Sequence, residues 1–338
     1  MAAPYFIGID VGTQGGRVVL IDSSGNIIGS QEEIFPLDDQ FREEQSPTLW
    51  WEVCLRLLKL LISEAVSEIS LSDLKAMSVT STSGTVIPLD QKMQPLHNAI
   101  MYSDKRSTAE GKICRALASK YHPAGYTGFN SSSGLSKMLW FVRNFPEKVP
   151  HIAKWIHACD FLIGKLTDRW GISDCTNALK SGYDVRDGDW PSYLYQQLPL
   201  KKEWFPEVVT SGTPIANISP QMAHALGLSQ SVIIVAGMTD GCASQIASGA
   251  VKLGDWNTTI GTTLVVKGVT ENEMKDPEER LYNHRHPEGY WMPGGASNIG
   301  ADWIAMEFSE ELTSLNEKVK LKYVGLSCTY KDALTAIL

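Results

Sequence analysis

The first third of the chain alternates short apolar runs with polar turns, which is the pattern of antiparallel strands joined by hairpins. Residues 5–9 and 17–21 are apolar runs on either side of a glycine-rich turn, and a third run follows at 27–34. Short turns of this kind join neighbouring antiparallel strands. The pattern therefore predicts three antiparallel strands in succession at the start of the chain.

The next segment, residues 47–69, carries apolar residues at the three- and four-residue spacing of an amphipathic helix. Pro47 suits the first helical turn because its missing N–H would have no partner there. Ser46 is a favoured cap for the N–H groups of that turn. We therefore predict a helix that begins at Pro47.

Three further strands are predicted after this helix. Residues 74–79 and 85–89 lie on either side of a Thr-Ser-Thr-Ser-Gly turn, and 232–236 is an apolar run in the second half of the chain. We expect residues 237–241 to link the last strand to a small-residue helix at 242–250.

Between these strands, mixed helices and turns are predicted over residues 104–200. The hairpin pattern then returns, with apolar runs at 256–260 and 264–268 on either side of a Gly-Thr-Thr turn. This weak repeat of the first hairpin indicates a duplicated domain that holds one phosphate chain from two sides.

Composition places the chain among ordinary globular proteins, with 338 residues, 43% hydrophobic and 20% charged; this length predicts about two domains. The net charge of −8 argues against a nucleic-acid partner, because phosphate contacts need clustered Lys and Arg. The six cysteines form no CxxC pair, which predicts reduced thiols. Since no apolar run approaches the ~20 residues of a membrane span and the first strand leaves no room for a signal peptide, we expect a cytoplasmic protein without a membrane partner.

The turn after the first strand combines an acidic residue, glycines and a threonine, in the stretch Ile-Asp-Val-Gly-Thr-Gln-Gly-Gly at 9–16. Backbone N–H groups in such a turn can hold phosphate oxygens, the Thr13 hydroxyl adds a donor, and Asp10 can face a magnesium ion. Unlike GxGxxG and the Walker A loop, this turn leads into a strand and not into a helix. An ordinary hairpin turn would use the same residue types, so these residues alone leave both interpretations open.

Five stretches, taken in chain order, resemble the FGGY carbohydrate kinases. They are Asp-Val-Gly-Thr at 10–13, Glu-Gln-Ser-Pro with Trp-Trp at 44–51, Asp-Phe-Leu with Leu-Thr at 160–167, Ala-Gly-Met-Thr-Asp at 236–240 and Ile-Gly-Thr-Thr at 260–263. The resemblance implies an α/β fold of the actin/Hsp70/hexokinase-like (ribonuclease H-like) type, with two lobes. It also implies a sugar at the bottom of the cleft and ATP across its mouth.

Within that family, the stretches at 82–86, 177–183 and 294–300 resemble the D-ribulose kinase branch of cyanobacteria and plants. A xylulose kinase would typically carry a Met-His pair where this chain has Thr82 and Ser83. The resemblance therefore implies ATP-dependent phosphorylation of a ketopentose, D-ribulose to D-ribulose 5-phosphate. A kinase for xylulose or another ketose is the alternative.

The resemblance also implies roles for single residues. Asp240 matches the family's catalytic base, although an Asp at this place is also a favoured helix cap. Asp10 is expected to contact magnesium through water and to reach the sugar. Ser83 and Gly84 are expected to bind the hydroxyls of the sugar, and an ordinary Ser/Thr/Gly turn is the alternative for them.

The phosphates of ATP are assigned to two turns. They are Gly12, Thr13 and Gln14 in the first lobe and Gly261, Thr262 and Thr263 in the second. Donors at such turns stabilise the charge that develops on the transferred phosphate. The alternative is again an ordinary hairpin turn for each. Asp160 and Asn177 are interpreted as structural residues of the sugar domain and not as catalysts.

The end of the chain departs from the family pattern. The glycine-rich turn that holds adenine in the family has no counterpart after Gly300, and residues 318–338 do not resemble the family. We therefore expect a sugar-binding lobe at 1–247, a partial ATP-binding lobe at 248–317 and an atypical tail at 318–338, as in a C-terminally truncated form.

This organisation leaves three hypotheses for function. The chain is an active pentulose kinase, an inactive form that binds sugar without turnover, or a scaffold like actin or Hsp70. The scaffold is the poorest of the three, because it needs neither Ser83 nor Asp240. A monomer and a homodimer both remain open.

Overall fold

A computed structural model of the protein describes residues 4–260, 264–276 and 281–297. These residues form sixteen β-strands: β1 (Tyr5–Val11), β2 (Gly15–Asp22), β3 (Ile27–Ile34), β4 (Glu44–Gln45), β5 (Leu74–Ser81), β6 (Val86–Leu89), β7 (Ala99–Ile100), β8 (Lys154–His157), β9 (Ile172–Asp174), β10 (Glu207–Val209), β11 (Pro214–Asn217), β12 (Ile233–Thr239), β13 (Trp256–Ile260), β14 (Leu264–Gly268), β15 (Tyr282–Arg285) and β16 (Trp291–Ser297).

The same residues form eight α-helices: α1 (Pro47–Ala65), α2 (Thr108–Tyr121), α3 (Gly134–Asn144), α4 (Ala158–Thr167), α5 (Cys175–Ala178), α6 (Tyr193–Gln196), α7 (Pro220–Leu226) and α8 (Asp240–Ala247). None of the helices in the described residues has the length and apolar character needed to cross a bilayer. The chain divides into two compact units, the first ending at Ala243 and the second beginning at Ser244.

The centre of the first unit is a six-stranded mixed sheet in the order β11-β12-β5-β1-β2-β3. Strands β1, β2 and β3 pair antiparallel, which confirms the predicted succession of three hairpin-connected strands. Strands β1, β5 and β12 are parallel neighbours at the middle of the sheet. The carboxyl ends of these three strands therefore meet at the same edge of the sheet.

Helix α1 begins at Pro47, as predicted, and the Ser46 side chain accepts a hydrogen bond from the Leu49 N–H group. Its apolar face is buried in the core that it shares with the central sheet. The helix ends at Ala65, before the predicted residue 69. Beyond this point the Ser67 hydroxyl donates to the Glu64 carbonyl oxygen (2.9 Å), a local bond that competes with the helical ladder.

A second sheet in the first unit has the strand order β4-β7-β6-β8. A second apolar core includes residues of β6, β8, α2 and α3, among them Val86, Trp155 and Phe141. The prediction of helices and turns over residues 104–200 missed β8 and β9. Both strands have only three or four residues, too few for the side-chain period to separate strand from helix.

The junction between β12 and α8 differs from the prediction that residues 237–241 form a linking loop. The strand continues to Thr239, and the helix begins directly at Asp240. A β-bulge interrupts the β12–β5 register between Val235 and Met238. Gly237 lies in this bulge, where a Cβ atom would overlap the Val79 carbonyl oxygen. The absence of a side chain at Gly237 lets the strand stay paired as far as the candidate site.

In the second unit, β13-β14-β16-β15 form an antiparallel sheet. The β13–β14 hairpin has the predicted strand bounds, 256–260 and 264–268. Residues 261–263, which include the predicted phosphate turn, and the predicted tail at 318–338 lie outside the described residues.

We expect Gly237→Ala to lower the free energy of unfolding by about 1–3 kcal/mol, because the added methyl group must displace the β5 backbone. Gly16→Ala is the matched control in the same sheet, since its Cβ would meet its nearest neighbour, Val53, at an ordinary 3.4 Å. Chemical denaturation measures both variants. A Gly237→Ala protein as stable as the control would contradict the close packing of β12 on β5.

Candidate functional site

The predicted site residues of the first unit lie at the carboxyl ends of β1, β5 and β12. Val11 and Thr239, near the ends of the outer two strands, both pair with Ser81 of the middle strand. This common register brings Asp10, the Ser83 turn and Asp240 to one edge of the sheet. Crevices at the carboxyl ends of neighbouring parallel strands are frequent ligand sites in α/β proteins.

Asp10 is a half-buried carboxylate at this edge. One of its oxygens, Oδ1, is buried and has no hydrogen-bond partner among the described residues. Burial, together with the negative charge of Asp240, raises the pKa of Asp10 to about 6, although Arg17 acts in the opposite direction. Asp10 is therefore a polar group that the protein leaves unsatisfied.

The turn between β1 and β2 uses only some of its backbone groups in hydrogen bonds within the described part of the chain. The Gly12 N–H group donates to the Gly15 carbonyl oxygen (3.0 Å), and the Gln14 carbonyl oxygen accepts from the Phe35 N–H group (2.9 Å). The Gly12 amide is therefore used inside the turn, in contrast to its predicted use on phosphate. In the described part of the chain, the N–H groups of Thr13 and Gln14 have no acceptor.

Gln45 holds the same turn from a different segment. Its amide nitrogen donates to the carbonyl oxygens of Thr13 (2.8 Å) and Phe41 (3.1 Å), and its Oε1 accepts from the indole N–H of Trp50 (2.8 Å). The Thr13 hydroxyl lies 3.4 Å from the hydroxyl of Tyr102. The Glu-Gln-Ser-Pro stretch carries the family resemblance, but the role of Gln45 could not be predicted from it, because a bond to a turn 32 residues away has no local signal.

The turn after β5 presents a second unsatisfied polar atom, the buried Oγ of Ser83, which has no partner among the described residues. Gly84 follows with a φ of +84°, and a Cβ there would overlap the Ser132 carbonyl oxygen. The hydroxyls of Thr82 and Thr85 bond to each other (2.8 Å), which tightens the turn. Of the Thr82-Ser83 pair, only Ser83 is therefore left for a ligand.

Asp240 is exposed at the first position of α8. Its Oδ1 accepts from the N–H group of Gly241 (2.6 Å). The helix begins at Asp240 itself, so this residue does not precede a helix at 242 as a cap, which was the alternative interpretation. Its charge acts on Asp10, so the two carboxylates belong to one electrostatic site.

These residues fit a magnesium ion and a phosphate. Mg²⁺ prefers carboxylate oxygens, and the unpartnered Asp10 Oδ1 beside the charge of Asp240 is a group that a cation would stabilise. The free amides of Thr13 and Gln14 suit phosphate oxygens. Gly261, Thr262 and Thr263 lie outside the described residues, and their assignment stays a prediction.

Asp160 and Asn177, interpreted as structural residues, are fully buried in a polar network with Asp174 and Cys159. The Asn177 amide donates to Asp174 (2.6 Å) and to the Cys159 sulfur (3.2 Å), while Asp160 accepts from the His157 N–H group (2.8 Å). Both side chains are almost completely excluded from solvent, with exposed fractions of 3% for Asp160 and 0% for Asn177.

Comparison with known proteins identifies a family and several relatives that this chain resembles. Residues 5–247 match the N-terminal domain of the FGGY family of carbohydrate kinases. The chain is 27% identical to the xylulose kinase of Escherichia coli (strain K12) over 83% of its own length and 57% of that protein. It is 22% identical to the gluconokinase of Bacillus licheniformis, over 90% of its own length and 60% of that protein. The chain thus spans about three-fifths of the length of these relatives.

Solved structures show the same fold. The xylulose kinase of Rhodospirillum rubrum superimposes with a TM-score of 0.83 at 22% identity, over 93% of this chain and 65% of that one. For the gluconate kinase of Lactobacillus acidophilus the TM-score is 0.79 at 22% identity, over 89% of this chain and 61% of that one. These similarities confirm the predicted actin/Hsp70/hexokinase-like fold class.

The raised pKa of Asp10 predicts a pH dependence of stability. Because the folded protein holds this proton more tightly than the unfolded chain, the carboxyl favours folding below its ordinary pKa of 3.8, and that contribution is lost as the pH rises through about 6. The difference in unfolding free energy between wild type and Asp10→Asn should therefore fall over this window and then level off.

Denaturation at several pH values between 4 and 7 measures this difference. Asp22→Asn is the control, because hydrogen bonds from Asn26 lower the pKa of Asp22 below 3.8 and its contribution should not change in this range. A constant or rising difference for Asp10→Asn would refute the proposed burial of a carboxyl beside a second negative charge.

Proposed function

The chain belongs to the FGGY family of carbohydrate kinases, and from this premise we propose that it phosphorylates a ketopentose with ATP. D-ribulose, converted to D-ribulose 5-phosphate, is the first candidate substrate, and xylulose is the alternative. One observation carries the proposal: Asp10, Ser83 and Asp240 share the carboxyl edge of three parallel strands. Two of them, Asp10 and Ser83, present buried oxygens that have no partner among the described residues.

In the proposed reaction Asp240 is the general base. A sugar hydroxyl is a poor nucleophile while it keeps its proton, and the exposed Asp240 carboxylate can take that proton as the oxygen attacks phosphorus. The new O–P bond forms while the bond from phosphorus to the ADP oxygen breaks. The hydrogen bond that the Asp240 carboxylate accepts from the Gly241 N–H group limits the directions in which this carboxylate can point.

The β1–β2 turn and Asp10 act on the phosphate side. The N–H groups of Thr13 and Gln14 donate to phosphate oxygens, and Gln45 keeps them in that orientation by holding the Thr13 carbonyl oxygen from behind. Asp10 holds magnesium, which neutralises charge on the phosphates when it is bound. From the repeated glycine–threonine hairpin, we extend the proposal to Gly261, Thr262 and Thr263 as a second phosphate turn in an ATP-binding lobe at 248–317.

Ser83 and the backbone at Gly84 act on the sugar side. The buried Ser83 Oγ can donate to or accept from one sugar hydroxyl. The choice of D-ribulose over xylulose rests on the Thr82-Ser83 pair, since a xylulose kinase would typically carry Met-His there. The relatives compared above are named xylulose kinase and gluconokinase, so xylulose and gluconate belong in the same substrate test.

We expect ADP release with D-ribulose, and a loss of about 10²–10⁴-fold in kcat for Asp240→Asn, because the amide cannot accept the proton. Asp22→Asn is the matched control, since Asp22 lies at the other end of the β1–β2 hairpin and pairs with Tyr5. A coupled assay measures ADP with D-ribulose, D-xylulose and gluconate in turn.

Three outcomes are decisive, two from that assay and one from calorimetry. Full activity of Asp240→Asn would remove the base from the mechanism. ATP hydrolysis without sugar that Asp240→Asn leaves unchanged would favour an actin- or Hsp70-like protein instead. Sugar binding by calorimetry without any turnover would support the alternative of a form that binds sugar and does not phosphorylate it.

Removal of the Ser83 hydroxyl separates sugar binding from chemistry. We expect Ser83→Ala to raise the KM for the ketose by about 5- to 20-fold, equivalent to one lost hydrogen bond, and to leave the KM for ATP unchanged. Ser63→Ala is the control, because the Ser63 hydroxyl bonds only to the Leu60 carbonyl of its own helix. An equal rise in both KM values would contradict a sugar-specific contact.

A further inference from the structure

The strand that carries the proposed base Asp240 is fastened by hydrogen bonds directly before that residue. The Met238 carbonyl oxygen accepts from the Thr80 hydroxyl (2.8 Å), and the Thr239 N–H group donates to the Thr176 hydroxyl (2.9 Å). Thr239 is 1% exposed. The last two residues before Asp240 are therefore held by two side chains from different segments.

The second of these side chains belongs to a fully buried polar unit. Thr176 is 0% exposed, and its hydroxyl donates to Asp174 Oδ1 at 2.5 Å. The same oxygen accepts from the backbone N–H groups of Thr176 (2.8 Å) and Asn177 (3.1 Å), and Oδ2 accepts from the Asn177 amide (2.6 Å). This network leaves the Thr176 oxygen one orientation, with its lone pair toward the Thr239 amide.

A hydroxyl has one proton and two lone pairs, so the direction of its single donated bond decides where it can accept. Because Asp174 takes that proton, Thr176 can only accept from Thr239. Buried charge-assisted bonds of this type are short and stronger than bonds between neutral groups. The carboxylate of Asp174 thus fixes the amide that directly precedes Asp240 in the chain.

We propose that Thr176 is a positioning residue for Asp240 and that Asp174 orients the Thr176 hydroxyl. Together, Thr176 and Asp174 fix the position at which β12 ends and α8 begins. This inference rests on the proposed kinase function, in which Asp240 is the base. Thr176 touches no substrate in this proposal. It acts through the Thr239 amide, and its loss lets the start of α8 shift relative to the sugar hydroxyl.

The test uses Thr176→Val, which keeps the shape of the side chain and removes the hydroxyl. We expect kcat with D-ribulose to fall by roughly 10- to 100-fold while the KM for D-ribulose changes by less than about threefold, because small misplacements of a catalytic group cost this much in rate. Thr176→Ser restores the hydroxyl and should return kcat to within about threefold of wild type.

Thr167→Val is the matched control. Thr167 is also a buried threonine whose hydroxyl donates to one oxygen, the Ile163 carbonyl (2.7 Å), and accepts from one backbone amide, that of Arg169 (3.1 Å). Thr167 lies at the end of α4, and the loss of its hydroxyl there should leave kcat within about twofold of wild type. Circular dichroism verifies that each variant is folded, and Thr176→Ala replaces Thr176→Val if the latter is not.

Hydrogen–deuterium exchange at the Thr239 amide tests the contact without any substrate. We expect exchange at least about tenfold faster in Thr176→Val than in wild type, Thr176→Ser or Thr167→Val, since the amide loses the Thr176 hydroxyl as its acceptor. Unchanged exchange, or a kcat equal to wild type in an active protein, would overturn the inference. Absence of turnover in the wild type would reject the proposed function instead, and the exchange experiment would still decide whether Thr176 holds Thr239.

Discussion

The parallel pairing of β1, β5 and β12 is the constraint on which the candidate site depends. Three strands from distant parts of the chain end together because their backbone hydrogen bonds keep one register, with Ser81 between Val11 and Thr239. Close approach of β12 to β5 needs Gly237, where no side chain fits. Asp240 reaches the same edge as Asp10 only because of this pairing.

The energetic cost of the site is concentrated at the same edge. Two carboxylates share it, and burial beside a like charge raises the pKa of Asp10 to about 6. The surrounding structure compensates with polar contacts behind the site: Gln45 and Trp50 hold the phosphate turn, and Asp174 and Thr176 hold the end of β12. Asp10 Oδ1 and Ser83 Oγ are thus left without a partner among the described residues, while the side chains of Gln45 and Thr176 behind the site are hydrogen-bonded.

Local sequence patterns predict much of the secondary structure. The strand at 27–34, the helix start at Pro47 and the strands at 256–260 and 264–268 agree with the structure to the residue, because hairpin turns and a proline-led helix have clear local signals. The junction at 237–241 does not agree. Glycine there looks like a turn residue from its neighbours alone, whereas it serves the contact with Val79 on another strand.

The sequence by itself determined the strands that lead to Asp10 and to Ser83, and it named Asp10, Thr13, Ser83 and Asp240 as candidates for the chemistry. The tertiary structure alone decided how these residues are used. In the folded protein the Gly12 amide donates to the Gly15 carbonyl oxygen, and the amides of Thr13 and Gln14 have no acceptor among the described residues. Gln45 bonds to the Thr13 carbonyl oxygen, and Thr176 bonds to the Thr239 amide. These contacts join residues that are 32 and 63 positions apart in the sequence. The periodicity of apolar residues depends only on neighbours along the chain, so it cannot predict such contacts.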